Sequence, residues 1–149
     1  MRTAALFLAL SAAGCTSEES TAADPPLRDA GTHDEFVALP PCEANLPSIQ
    51  RSIFQMTCQW ATCHGHPDPA WDLLLVEADV EQRLVDVPAV GCRNWTLVVP
   101  GSLEKSYLWQ KLTLDDPPCG DRMPWRPERL NQDALACISG WILGLARDE

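Results

Sequence analysis

Positive charge is scarce in this sequence, which has 11 lysines and arginines against 21 aspartates and glutamates and a formal charge of −10 at pH 7. Nucleic acids and anionic lipid surfaces are bound mainly through basic side chains, so we expect neither to be the main partner. A glycine-rich phosphate loop is also missing, and the serines, aspartates and three histidines form no recognisable pairing of a nucleophile with a base. These absences argue against phosphate-loop enzymes and hydrolases.

Long apolar runs are scarce too, and one of the short ones begins close to the start of the chain. Arg2 is followed by an uncharged apolar run at residues 4–13, which is shorter than the ~20 residues that a membrane-spanning helix needs. A short positive start followed by such a run has the layout of a secretory signal peptide. We therefore expect the protein to be exported.

Small residues precede a cysteine at the end of this run, in the order Ala-Ala-Gly up to Cys15. This order resembles the lipobox of bacterial lipoproteins, although leucine is usual where Ala12 stands. The resemblance implies a signal peptide at residues 1–14, acylation of Cys15 and anchoring of the protein to a membrane through its lipid. Residues 16 and 17 lack the aspartate of the retention signal, which favours the outer membrane, facing the periplasm or the cell surface. An ordinary signal peptide with an incidental cysteine is the alternative.

The composition changes again near residue 42. Residues 16–41 are polar, acidic and marked by prolines, which is typical of a disordered segment. We expect residues 15–41 to carry the lipid and to form a tether, and residues 42–149 to form one domain.

Helical patterns dominate this domain, whereas extended patterns are limited mainly to residues 96–99. Periodicity predicts helices near residues 47–56, 78–85 and 103–112, with Asn45 and Ser102 as caps of the first and third. A last helix is predicted after Asn131, where Gly140 and Gly144 would permit a close helix crossing. Its apolar stripe consists of Leu135, Ile138, Ile142 and Leu145. The sequence therefore predicts an all-α fold.

The most informative segment is residues 58–66, which read CQWATCHGH. A pair of thiols followed by a histidine can attach a haem covalently and ligate its iron, but the usual spacing leaves two residues between the cysteines. Four residues separate Cys58 from Cys63, and a loop of this length could bulge outward and still present both sulfurs. A disulfide between the two cysteines is one alternative. A zinc site with His64 and His66 is another, although zinc ligands usually come in pairs from separate segments.

A candidate for the sixth ligand of a haem iron lies in the second half of the chain. Methionine commonly stands opposite histidine in electron-carrying haem proteins. Met123 lies in the sequence GDRMP, next to a proline that restricts the backbone, whereas Met56 is too close to the thiols to cross the ring. The alternative is that Met123 is a core residue, the common role of methionine.

Four segments in a fixed order resemble the small cytochrome c-like domains of myxobacterial-type predicted lipoproteins. The segments are IFQMTCQWATCHG, VVPGSLEKSYLWQKL, CGDRMP and LACISGWILGLA. The resemblance covers roughly residues 47–146. It implies a class I cytochrome c fold in which the first and last helices cross, with Ile53 and Phe54 against Gly140 and Trp141.

The same resemblance implies the roles of the site residues. Cys58 and Cys63 would form the thioether bonds of a haem c, and His64 and Met123 would be the axial ligands of its iron. Independently of the resemblance, six tryptophans are many for this length, and among them Trp95 and Trp125 are candidate walls of the haem pocket and Trp141 is a candidate core residue.

Seven cysteines minus Cys15 leave six, and six fit either three disulfides or two disulfides plus a haem attachment. The four outside the haem motif allow three arrangements. We expect a Cys92–Cys119 bond, which would brace the methionine loop, and a Cys42–Cys137 bond, which would tie the start of the domain to its last helix.

These expectations combine into an electron-transfer protein that is not an enzyme. Iron held by both His64 and Met123 has no open position, so we expect a redox protein as partner and no small-molecule substrate. One alternative is a haem-free, disulfide-stapled surface lipoprotein with a third bridge between Cys58 and Cys63. A peroxidase-like haem enzyme with an open iron position is the other.

Overall fold

The computed structural model describes residues 36–146. The predicted signal peptide at residues 1–14, the acylated Cys15 and most of the predicted tether lie outside the described residues.

Helices are the main regular elements of this part of the chain, as predicted. The first, α1 (Leu46–Ile49), continues without a break into a wider π-type helical segment, Gln50–Cys58. It is followed by a single 3₁₀ turn at Ala70–Asp72 and by α2 (Val80–Leu84). The last two helices among the described residues are α3 (Tyr107–Thr113) and α4 (Gln132–Gly144), and α4 is the longest. Among residues 36–146, no helix is long and apolar enough to cross a membrane.

Both predicted asparagine caps are confirmed. The side-chain oxygen of Asn45 accepts a hydrogen bond from the Ser48 N–H at 3.0 Å, and that of Asn131 accepts one from the Ala134 N–H at 2.9 Å. Each cap satisfies a backbone donor that the first turn of a helix leaves without a partner. The two caps therefore set where α1 and α4 begin.

The third helix begins later than predicted, at Tyr107 instead of residue 103. The reason is Ser106, whose buried hydroxyl accepts a hydrogen bond from the Val99 N–H at 2.9 Å and donates to the Ser102 carbonyl at 2.6 Å. These bonds fold residues 99–106 into a compact turn, in which Gly101 adopts a φ of +71° that favours glycine. Residues 102–105 are therefore part of the turn.

A short pair of strands was not predicted, one lying before the first helix and the other just before the last helix. Strand β1 (Phe36–Val37) lies parallel to β2 (Arg129–Leu130), with Phe36 opposite Arg129. In addition, the Ser52 hydroxyl donates to the Pro41 carbonyl at 3.1 Å. Residues 36–41, which the sequence analysis placed in the tether, thus contact the domain.

The core lies where α4 packs against the first helix. Ile138 and Ile142, two members of the predicted stripe, are fully buried, and so is Ile49 of α1. Trp141 is buried as predicted. A Cβ added to Gly140 would lie 2.8 Å from the Cβ of Ala44, so this glycine does permit a close approach.

Two details of the predicted helix crossing differ. The residue facing Gly140 is Ala44, which lies before α1, rather than Ile53 or Phe54. A Cβ added at Gly144 would meet no atom within 4 Å, so the close approach predicted there is wrong.

The two disulfides have the predicted connectivity. Cys42 is bonded to Cys137 of α4, with a Cα–Cα distance of 6.2 Å. Cys92 is bonded to Cys119, with a Cα–Cα distance of 5.8 Å. The first bridge ties the segment before α1 to the last helix. The second joins the loop that follows α2 to the loop that follows α3.

Candidate functional site

A largely apolar cavity of about 460 Å³ is lined by residues of the helices and of the loops that connect them. This volume is in the range of ~300–1,000 Å³ that is usual for ligand and cofactor sites. This cavity is lined by Cys58, Cys63 and His64 of the cysteine motif and by Met123, which lies 59 residues after His64. The fold therefore brings together the four residues that the sequence analysis selected as the haem site.

The loop between the two cysteines bulges away from the cavity. All four residues at 59–62 are exposed. The Cys63 N–H donates to the Trp60 carbonyl at 2.7 Å and forms a tight turn, and the His64 N–H donates to the Cys58 carbonyl at 2.9 Å. In a regular helix, a carbonyl accepts from the residue four positions later. In the usual motif, with two residues between the cysteines, the histidine lies four positions after the first cysteine. The bond from the His64 N–H to the Cys58 carbonyl thus keeps His64 close to Cys58 although the loop is two residues longer.

Gly65 makes this return possible and was missed by the sequence analysis. It is buried, and a Cβ at this position would lie only 1.8 Å from the carbonyl oxygen of Gln59. No other residue type fits so close to a neighbouring backbone without moving it. The sequence signal was the glycine directly after the cysteine–histidine pair, but its role depends on a backbone contact that spacing alone does not reveal.

The ring of His64 has a fixed orientation. Its Nδ1 lies 3.0 Å from the carbonyl oxygen of Leu73, and because a carbonyl only accepts, Nδ1 carries the proton. In the neutral ring, Nε2 then carries the free electron pair. Histidines that ligate metals usually donate from their other ring nitrogen in this way, which fixes the tautomer.

Burial keeps this imidazole neutral. It lowers the pKa of His64 below the usual value, and this effect outweighs the Leu73 carbonyl, which raises the pKa. A positively charged neighbour, Lys111, lowers the pKa further. Because only a neutral imidazole can ligate a metal, the site is prepared for ligation at neutral pH.

Both cysteines of the motif are free thiols. Cys58 ends the π-type segment, a geometry that is rare and is frequently found at functional sites. Its Sγ lies 3.4 Å from the hydroxyl oxygen of Thr57. Burial raises the pKa of the Cys58 thiol to about 11, against a smaller lowering by the Thr57 hydroxyl. The third disulfide that one alternative requires, between Cys58 and Cys63, is not formed.

Met123 both packs against the core and lines the cavity. Its N–H donates to the carbonyl of Lys111 in α3 at 2.7 Å. The Lys111 ammonium donates to the carbonyls of Cys119 and Asp121, and the Tyr107 hydroxyl donates to the same Cys119 carbonyl at 2.7 Å. Together with the disulfide at Cys119, these bonds attach the methionine loop to α3.

The two tryptophans proposed as pocket walls have different surroundings. Trp125 lines the cavity while 73% of it is exposed to solvent, so it lies at the opening. Trp95 is not among the described residues that line the cavity; its ring lies beside that of Tyr107, with 6.1 Å between the centroids. Trp71, which was not selected from the sequence, lines the opening and is 68% exposed. Trp95 therefore contributes to the wall only through Tyr107.

His66 does not join the other donors of the motif. Its Nε2 lies 2.5 Å from a carboxylate oxygen of Glu77, and the pair is exposed. Residues 36–146 contain no group of three or more histidines, cysteines, aspartates or glutamates arranged to hold a metal ion. The pairing of His66 with Glu77 counts against the zinc alternative.

No protein-family model, curated protein or solved structure matches this chain. The functional interpretation therefore depends on the geometry of the site.

Proposed function

We propose that this protein transfers electrons by means of one covalently attached haem c. Cys58 and Cys63 would form the thioether bonds, and His64 and Met123 would ligate the iron. The observation that carries the proposal is that two free thiols, a histidine with its Nδ1 engaged and a methionine line one apolar cavity.

The chemistry of this donor set fits a haem better than it fits a bare metal ion. Imidazole and thioether are a common axial pair in haem electron carriers, and this pair gives a higher reduction potential than two histidines. The apolar lining suits a flat hydrophobic ring, and the engaged Nδ1 of His64 leaves Nε2 for the iron. When bound, the haem would supply a reversible one-electron change at iron.

The residues of the chain have three tasks in this proposal. The return of His64 to the Cys58 carbonyl keeps the histidine next to both thiols despite the longer loop. The Leu73 carbonyl orients the ring. The bond between the Met123 N–H and the Lys111 carbonyl holds the methionine at the cavity. Apolar side chains exclude water, which limits the solvent rearrangement that accompanies a change of charge.

We further propose the class I cytochrome c fold for residues 42–149. The order of helices, with the cysteine pair directly after the first and the methionine loop between the last two, supports this fold. So does the close approach of Gly140 in the last helix to Ala44 at the start of the first.

With both axial positions filled, the iron would have no place for a substrate. We therefore propose an electron carrier and not an enzyme, with a redox protein as its partner. The lipid anchor at Cys15 and the placement in the outer membrane are part of the proposal and depend on the sequence of residues 1–17.

Intact-mass measurement of the unfolded protein tests the attachment. The protein would be produced together with the cytochrome c maturation machinery, beside a variant with Cys58→Ala and Cys63→Ala. The proposal predicts that the mass of the natural sequence increases by one haem and that of the variant does not. If both proteins have the masses expected from their sequences without haem, and the natural sequence has two reducible cysteines beyond the two disulfides, the haem-free lipoprotein would be supported instead.

A further inference from the structure

One contact joins the cysteine loop to the methionine loop at the outside of the cavity. The guanidinium carbon of Arg126 lies 4.6 Å from the centroid of the Trp60 ring. This distance is within the ~6 Å over which a cation is attracted to the face of an aromatic ring. Both residues are exposed, Trp60 by 52%, and Arg126 also lines the cavity.

Trp60 reaches this position because the cysteine loop is long. It lies in the exposed bulge at residues 59–62, and its carbonyl accepts the hydrogen bond from Cys63 that folds the bulge. The usual haem motif has only two residues between the cysteines. The longer spacing therefore has a second effect besides leaving both thiols at the cavity. It places the Trp60 ring against Arg126 of the methionine loop.

Arg126 belongs to a short folded segment that contains Met123. The Arg126 N–H donates to the Pro124 carbonyl at 2.8 Å, and the Arg122 guanidinium donates to the Arg126 carbonyl at 2.9 Å. A contact that restrains the Arg126 side chain therefore also restrains the backbone that carries Met123. On its inner side this segment is attached to α3 through the Met123 N–H and the Lys111 carbonyl.

We propose that Trp60 and Arg126 form a clasp that holds the Met123 segment against the cavity, and that the extended cysteine spacing exists to supply it. In the haem-bound protein, which is the state assumed in the proposed function, the clasp makes Trp60 and Arg126 positioning residues for the methionine ligand. Cation–aromatic pairs at exposed sites are weak but measurable. Loss of the clasp should therefore change local opening by roughly two- to five-fold.

Hydrogen exchange in the haem-free protein tests the clasp without reference to the haem. Trp60→Leu and Arg126→Gln are each expected to speed exchange of the Met123 and Arg126 amides by roughly two- to five-fold. The double variant should show little more than either single variant. Gln59→Ala, in the same bulge, and Arg51→Gln, another exposed arginine, are controls that should leave these amides unchanged. Unchanged exchange in both single variants, or effects that multiply in the double variant, would overturn the proposal.

Exogenous imidazole tests the role of the clasp in the haem-bound protein, because it competes with Met123 for the iron. Its affinity should increase by roughly two- to five-fold in Trp60→Leu and Arg126→Gln, and Trp60→Phe and Arg126→Lys should restore the natural value. If exchange changes but imidazole affinity does not, the clasp does not position the ligand, and the proposed role is wrong. If no variant binds haem, the proposed function fails, and the exchange experiment still decides whether the clasp holds the loop.

Discussion

The backbone N–H of His64 donates a hydrogen bond to the carbonyl of Cys58 at 2.9 Å, although residues 59–63 lie between them. In a regular helix this carbonyl would accept from the residue four positions later, and here it accepts from the residue six positions later because residues 59–62 fold outward. The unusual spacing of the cysteine motif is thus a feature of the sequence that the fold compensates at the site itself.

Gly65→Ala should destabilise the protein, because its Cβ would lie 1.8 Å from the Gln59 carbonyl oxygen and force the loop to move. Overpacking of this kind typically costs about 1–3 kcal/mol. The measurement is the free energy of unfolding in urea for the haem-free protein. Gly144→Ala is the matched control, since it meets nothing within 4 Å in α4 and should be neutral or stabilising by up to about 1 kcal/mol. Equal stability of the two variants would refute the role given to Gly65.

The stability of the haem-free protein should depend on pH through His64. Burial lowers its pKa, so the folded state binds this proton less readily than the unfolded state, in which the pKa is about 6.5. The contribution of His64 is therefore fully present above about pH 6.5 and is lost as pH falls through the lower folded pKa. Unfolding free energies between pH 8 and 5 should fall more steeply for the natural sequence than for His64→Gln. Parallel curves would contradict the burial argument.

The thiol of Cys58 should react slowly with alkylating reagents in the folded, haem-free protein. Burial raises its pKa to about 11, and only the thiolate is an effective nucleophile. Peptide mapping by mass spectrometry can follow Cys58 separately from the other cysteines. We expect its alkylation rate to keep rising with pH up to about pH 11, whereas in the unfolded protein the rate should level off after the ordinary value of about 8.5. The same midpoint in both states would show that the thiol is not buried.

Removal of either disulfide should destabilise the protein, but the two removals should differ in the loss of unfolding free energy and in their effect on the methionine loop. Their sequence separations are 95 for Cys42–Cys137 and 27 for Cys92–Cys119, for which the chain-entropy model gives about 4.7 and about 3.6 kcal/mol of stabilisation. Paired cysteine-to-alanine variants, measured by urea unfolding, should follow this order. Only loss of Cys92–Cys119 should also speed hydrogen exchange at Met123, because that bridge is bonded into the methionine loop. A faster Met123 amide in both variants would mean that the loop is stabilised by the whole domain instead.

Much of this arrangement could be predicted because local chemistry determines it. Asn45 and Asn131 cap helices by short-range hydrogen bonds. The buried face of α4 follows from apolar residues that recur every three or four positions. The two disulfides are the expected choice among three possible arrangements, made because one bridge would brace the methionine loop and the other would tie the start of the domain to its last helix. The selection of Cys58, Cys63, His64 and Met123 depended on recognising donor types in a characteristic order, and the fold brings all four to one cavity.

The remaining features depend on three-dimensional contacts that the spacing of residues does not reveal, whether the partners are near each other in sequence or distant. Gly65 matters only because the Gln59 carbonyl lies against it, and Trp60 matters only because Arg126 lies over its ring. The start of α3 is set by the Ser106 hydroxyl, which occupies the Ser102 carbonyl that would accept the Ser106 N–H in a longer helix. The pairing of β1 with β2 adds only a two-residue ladder, too short to leave an alternating pattern in the sequence.

The central claim is that the cavity holds a covalently attached haem, and an absorption spectrum tests it most directly. The protein would be made with the cytochrome c maturation machinery and measured before and after addition of dithionite. We predict a sharp α-band that appears on reduction, and a haem colour that stays with the protein through acid-acetone extraction. A folded, helical protein without a Soret band would contradict the account, and the segment CQWATCHGH would then be a structural loop that holds no haem.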